Sequence, residues 1–506
     1  MITLAALTGP LPEAGVIVAA AMVAGAMLLE DARLRAASTV GALVLAPVLL
    51  LANIWRSPQL SVVHRHPLVA ALAGAAGLAV LVTVARLIAR RPALLAPLAV
   101  LALPFRVPIA AGGSTANLLV PLYLVVAAGT LAVVLPGLAA EQRRRPAGWT
   151  ERLLGLYMVL YALQSVYSKD FEKALQQMVF FYVPFTLLFC LLREVRWTPR
   201  LIRRCLQIVV ALALLFAAVG FAEYATKTIF LNPKLIAAND VHAYFTVNSV
   251  FFDPDVFGRF LALVMVSLAV LLLSRRERWE QLSVIAALAL LWCGLVLTLS
   301  RSSLGALLVG LGTLAAIRWR LGRVLALAGA VVAVGAVAVL ASPTTFGLNQ
   351  GLNGASSGRA SLVTGGLGMF ADRPLWGYGS GSFVAEYRAQ HPGSAQTLSA
   401  SHTIPLTIAA EQGLIGEAAY VALVLVALVG LLRGLGRDPA RAAVGAAFLA
   451  LVFHTMLYAD FLEDPVTWTL LGVGVALAHG ARTVGREGGR ATSAPSAARL
   501  AAGMRS

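Results

Sequence analysis

Residues 282–317 read LSVIAALALLWCGLVLTLSRSSLGALLVGLGTLAAI, two apolar runs near 282–299 and 303–317 parted by Ser300-Arg301-Ser302. The hydrocarbon core of a bilayer is about 30 Å thick and calls for about 20 apolar residues per helix, so each run is close to a membrane span. A charge placed at membrane depth costs about 2.5–3.5 kcal/mol on insertion scales. Arg301 therefore either reaches the headgroups or faces a cavity or a partner.

The pattern recurs along the whole chain. With 59% hydrophobic residues, 12% charged ones and a mean hydropathy of +0.83 over 506 residues, too little polar surface exists to cover a soluble globule. Apolar runs fall near 14–30, 36–53, 68–89, 93–110, 117–139, 152–167, 174–192, 205–225, 256–273, 282–299, 303–317, 323–341, 414–432, 441–458 and 465–481. Lipid cannot satisfy exposed backbone groups, and the runs are too long for barrel strands, so they are read as helices. The expected fold is an all-α polytopic transmembrane bundle of about 12–15 spans. The run at 93–110 is the weakest, being interrupted by Pro104 and Arg106.

On a soluble protein the net charge of +17 would raise the question of nucleic acid. Here the Arg clusters lie between spans, as at Arg143, Arg144, Arg145 and at Arg193, Arg196, Arg200, Arg203, Arg204. That is the positive-inside signature, and no nucleic-acid partner is expected. Placing the N-terminus outside puts most of the 40 Lys and Arg residues in the cytoplasm. Two substantial loops, 226–255 and 342–413, are then extracytoplasmic. The predicted organisation is N-terminal spans over 1–225, an outer loop at 226–255, spans with the Ser-Arg motif over 256–341, a long outer catalytic loop at 342–413, C-terminal spans over 414–481 and a disordered cytoplasmic tail at 482–506. Met1 to Pro12 lacks the basic start of a secretory signal, so the first span is read as retained. Cys190, Cys205 and Cys293 share no metal-ligand spacing and read as packing residues, as do His454 and His479 on their spans.

Chemistry-bearing residues concentrate in the 342–413 loop. Arg359 opens a stretch in which Leu362, Met369 and Phe370 recur near helical spacing, predicting a short amphipathic helix that ends at Asp372-Arg373-Pro374. Gly377-Tyr378-Gly379-Ser380-Gly381 follows, a turn and not a phosphate loop, since it lacks the Lys of that motif. Ser401 reads as the cap of a helix that has His402 in its first turn and Gly413 as its stop, where the helix dipole would keep the imidazole neutral. Asp253-Pro254-Asp255 matches a metal-binding pattern superficially. It is read as the cap of the span starting at Val256, with Asp255 immediately before it.

Taken in order, Ser300-Arg301, Arg359, Asp372-Arg373-Pro374 through Gly377, Gly379 and Gly381 to Phe383, Ser401-His402, and Glu411-Gln412-Gly413 with Gly416 resemble the O-antigen ligase and O-antigen polymerase superfamily. The match spans about 250–435. Ser302 stands where that family has Gly, and Thr403 where it commonly has Asn.

The resemblance implies a membrane glycosyltransferase of the bacterial cytoplasmic membrane. It would take a glycan from an undecaprenyl-diphosphate-linked donor and pass it to the hydroxyl of a glycolipid or glycan acceptor, with no cofactor or metal. It implies Arg301, Arg359 and His402 as catalytic residues, and the two arginines with Arg373, Gly377, Gly379 and Glu411 as substrate-binding ones. Guanidinium is always charged and forks onto phosphate oxygens, so paired arginines suit a diphosphate leaving group, while an imidazole suits a general base for inverting displacement. A polymerase that uses the growing glycan as acceptor fits the same residues. A lipid-linked glycan transporter fits less well, because the distinctive residues gather in a loop and not at the midplane.

Overall fold

The computed structural model describes residues 9–55, 64–111, 114–134, 146–230, 244–273, 277–319, 359–392, 401–458 and 460–492, with isolated positions between them. Among these, eight helices are long and apolar enough to cross a membrane: Pro10–Leu28, Ala32–Asn53, Pro67–Arg90, Phe171–Glu194, Pro199–Thr226, Pro254–Leu273, Arg278–Leu297 and Ile404–Leu432. Shorter apolar helices, including Arg301–Ile317, Pro439–Thr455 and Pro465–His479, pack among them. The chain is a multi-pass membrane protein built as an all-α bundle, save for one β-hairpin.

Helix starts follow local chemistry. Asp-Pro opens three of them: Asp253, Asp438 and Asp464 each accept a bond from the backbone N–H two residues on, while Pro254, Pro439 and Pro465 occupy the first helical position, where no N–H is needed. Thr198 caps the helix at Pro199 by accepting from Leu201 N, three residues on, at 3.3 Å.

The run at 93–110 does not form a span. Its helix stops at Ala102, and beyond Pro104 and Arg106 the chain turns into an antiparallel hairpin, Val107–Ala111 against Ser114–Leu118. Proline withholds a backbone donor and the charge resists burial, so the short apolar run ends there. The run at 323–341 lies for the most part outside the described residues. The last helix continues to Thr492, well into the tail that composition reads as unstructured, and residues 493–506 are likewise outside.

Two large cores hold the bundle. One gathers Tyr157, Phe185, Phe189 and Trp468, the other Phe216, Phe257, Leu295 and Leu451. Small residues permit close helix approach in the second. A Cβ on Gly294 would sit 3.2 Å from that of Ala217, and one on Gly310 would sit 2.4 Å from Val266 Cγ2. Such packing replaces the hydrophobic drive that lipid does not supply between helices.

The consequence for function is a convergence of helix ends at one face. Helices Pro254–Ala269, Arg301–Arg318, Arg359–Asp372, Ile404–Leu432 and Pro465–Thr492 begin there, while Trp149–Ser165 and Pro439–Thr455 end there. Their polar contacts with one another, described next, establish the common level. The amphipathic helix expected at Arg359 forms. It buries Leu362 and Met369 against Phe383, Tyr387 and Ala410, so it rests on protein.

Candidate functional site

Ser300 caps the helix Arg301–Arg318, its Oγ accepting from Ser303 N at 3.2 Å. The same hydroxyl donates to Asp255, and Ser302 Oγ donates to Asp255 Oδ1 at 3.1 Å. Ser302, standing in place of the family glycine, thus earns its hydroxyl a fixed acceptor. His454 Nε2 lies 3.2 Å from both Ser302 Oγ and Ser303 Oγ. Ser303 Oγ also donates to Asp255 O, so both serine protons are used and Nε2–H is the donor. His454 is buried as expected, but within a polar network and not in an apolar one.

Arg301 is the first residue of its helix and is exposed. A cation at a helix N-terminus opposes the macrodipole, an unfavourable placement by a few tenths to about 1 kcal/mol. Arg359 likewise opens a helix. Its guanidinium donates to Leu457 O at 3.0 Å and lies 3.7 Å from Asp255 Oδ2. Asp255 therefore has one oxygen on the serines of the Arg301 helix and the other toward Arg359, so it joins the two arginine-bearing elements. This corrects the reading of Asp255 as the cap: Asp253 performs that function, its Oδ1 accepting from Asp255 N at 2.7 Å.

His402 stands before its helix and not in the first turn. Thr403 occupies the N-cap position, and His402 has φ of 61°. Ser401 secures this corner by accepting from Thr403 N at 3.1 Å and donating to Thr403 O at 2.7 Å. The ring lies 6.1 Å from that of Tyr458, and its Nδ1 is buried without a hydrogen-bond partner. Burial foremost, then the Arg359 guanidinium, holds the His402 pKa below the usual imidazole range, with Asp255 and Asp460 acting in the opposite sense. The dipole anticipated as the cause is replaced by burial and by Arg359. His402, Arg359, Asp255 and Asp460 thus share one electrostatic neighbourhood.

The N–H groups of Gly377 and Gly379 and the carboxylate of Glu411 are bound within the chain. Glu411 accepts from Gly381 N at 2.8 Å and Phe383 N at 3.0 Å, and its carbonyl accepts from Gly379 N at 2.7 Å. Gly377 and Gly379 have positive φ, and a Cβ at either would fall within 2.5 Å of backbone, of Glu411 and Ser168 respectively. The loop is a clasp that fixes the 377–383 segment to the bundle. Gly413 breaks its helix, with φ of 63°, but the helix resumes and runs to Leu432. Arg373 stacks on Tyr378 at 4.5 Å.

Beside His402 lies a cavity of about 290 Å³, whose wall includes Lys173, Gln412, Tyr458, Asp460 and Glu463. A further ion pair sits under the site, with Arg259 2.7 Å from Asp464 and both side chains buried. Arg259→Ala would leave Asp464 charged and unpaired in the interior. A destabilisation of about 3–5 kcal/mol is expected, read as an earlier loss of monodisperse protein on heating in detergent. An unchanged melting profile would show the pair to be dispensable.

Sequence reasoning missed Asp255 as a connector, His454 as a polar partner and the Asp460–Asp464 segment altogether. The last had a usable signal. Of only 23 acidic residues, Asp460, Glu463 and Asp464 crowd into five positions just ahead of an apolar run.

These features define a class: a multi-pass membrane protein whose polar site is assembled from helix ends and an ordered loop at one face. The family model described as O-antigen ligase matches residues 285–421, a segment that contains Arg301, Arg359, His402 and Glu411. The resemblance read from the motifs holds for that segment, which is similar to the O-antigen ligase family. No curated protein matches the chain.

Proposed function

We propose that the protein is a glycosyltransferase that takes a glycan from an undecaprenyl-diphosphate-linked donor and joins it to an acceptor hydroxyl on the extracytoplasmic face of the bacterial cytoplasmic membrane. The observation that carries the reading is the gathering of His402 and Arg359 about Asp255, which also holds the serines flanking Arg301.

In this reaction the acceptor O–H gives its proton to His402 Nδ1 as its oxygen bonds to the anomeric carbon. The bond from that carbon to the diphosphate oxygen breaks, and its electron pair leaves with the lipid diphosphate. Arg301 and Arg359 stabilise the charge that builds on the leaving group. Attack opposite the leaving group inverts the anomeric centre. Asp255 acts through Arg359 and the Arg301 helix, and is a positioning residue.

The test is transfer by purified protein supplied with a lipid-diphosphate-linked repeat unit, with and without a glycolipid acceptor. Product that requires the glycolipid identifies a ligase, and long products made without it identify a polymerase of the same superfamily. Absence of transfer with either acceptor contradicts the proposal.

The lowered pKa of His402 gives the pH dependence. A base works when unprotonated, so kcat/KM stays level as pH falls through about 6.5, the ordinary imidazole value, and declines only below it. Asp255 favours protonated His402, so Asp255→Asn moves that acid limb to still lower pH while reducing kcat about tenfold. A merely structural Asp255 would lower the yield of folded protein and leave the pH profile in place.

A further inference from the structure

We infer that the cavity beside His402 is the acceptor-sugar subsite and that it admits a neutral sugar in preference to an acidic one. The inference rests on the transferase reading. If His402 takes the acceptor's proton, the acceptor hydroxyl must reach His402 from a side that the donor diphosphate does not occupy.

The charges around His402 are partitioned. Arg359 and the Arg301 helix lie toward Asp255, a setting for phosphate. The cavity wall carries the carboxyl groups of Asp460 and Glu463, with that of Glu411 bound to the Gly381 and Phe383 N–H groups, against the single ammonium of Lys173. A diphosphate or a uronate placed there meets like charge, whereas a neutral sugar offers hydroxyl donors to carboxylate oxygens.

The wall is also suited to a sugar in other respects. Tyrosine and phenylalanine rings line it beside the polar groups, giving flat apolar faces for the C–H side of a pyranose. The volume, about 290 Å³, is at the bottom of the ligand-pocket range and suits one sugar ring and not an oligosaccharide.

The experiment is saturation-transfer NMR on the full chain in detergent, with methyl β-glucoside and methyl β-glucuronide as probes. It is run at pH 8, because burial and the neighbouring Asp460 push the Glu463 carboxyl up to about 7. The glucoside is expected to give a signal at least fivefold stronger than the glucuronide. Glu463→Gln should narrow that ratio, and Asp460→Asn combined with Glu463→Gln should bring it within twofold. Equal signals in the wild type, no glucoside signal, or a ratio unmoved in both variants overturns the inference. Binding needs no turnover. Transfer activity without glucoside binding therefore refutes the subsite alone, while charge-selective glucoside binding without any transfer refutes the transferase reading.

Discussion

His402→Asn reduces glycan transfer by about 10²–10⁴-fold, the usual contribution of a positioned general base, while the protein remains folded. Asparagine is the informative replacement because φ at this position is 61°, a left-handed conformation that Asn tolerates well and β-branched or bulky residues do not. Alanine removes the base too but adds about 1–2 kcal/mol of backbone strain, mixing two effects. The ring's Nδ1 has no partner within the chain, so its removal breaks no internal hydrogen bond at that atom. The check is initial rate at saturating donor, with detergent monodispersity confirming the fold. A variant with wild-type rate would remove His402 from the chemistry.

Gly377→Ala is expected to abolish accumulation of folded protein. Its φ of 69° alone costs an alanine about 1–2 kcal/mol. The added Cβ would also fall 2.3 Å from the carbonyl carbon and oxygen of Glu411, backbone that cannot swing aside as a side chain would. Overpacking of that kind adds about 1–3 kcal/mol or more, against a total stability on the order of 5–15 kcal/mol. The strain falls on the segment whose carboxylate holds Gly381 and Phe383, so the whole clasp loosens together. Gly74→Ala is the control. It sits in the helix Pro67–Arg90 with open space around it, and alanine there is expected to stabilise the helix slightly. Yield after solubilisation separates the two, and comparable yields for both variants would show that the clasp carries little stability.

The bundle was legible because apolar runs of membrane length leave a chain few alternatives, and because Pro and Asp mark where several helices start. The stretch from 93 to 110 misled for a definite reason. Its apolar content is that of a span, but Pro104 and Arg106 divide it into pieces too short to cross. Within the site, Arg301, Arg359 and His402 stood out only through motif order, since a lone Arg or His in a loop carries no chemistry by itself. Asp255 was hidden by its own sequence context: after Asp253-Pro254 a second Asp looks like part of the cap. Only the folded chain reveals that its carboxylate meets Ser302, 47 residues away. For Gly377, Gly379 and Glu411 the spacing signals importance without saying of what kind, and the folded chain shows that they hold a loop in place.

The most direct test follows the two products when purified protein consumes a lipid-diphosphate-linked glycan. One free lipid diphosphate is expected for each glycan transferred, with the configuration at the new linkage inverted relative to the donor. Consumption without release of lipid diphosphate, or a product that retains the donor's configuration, would contradict direct displacement by a hydroxyl activated at His402.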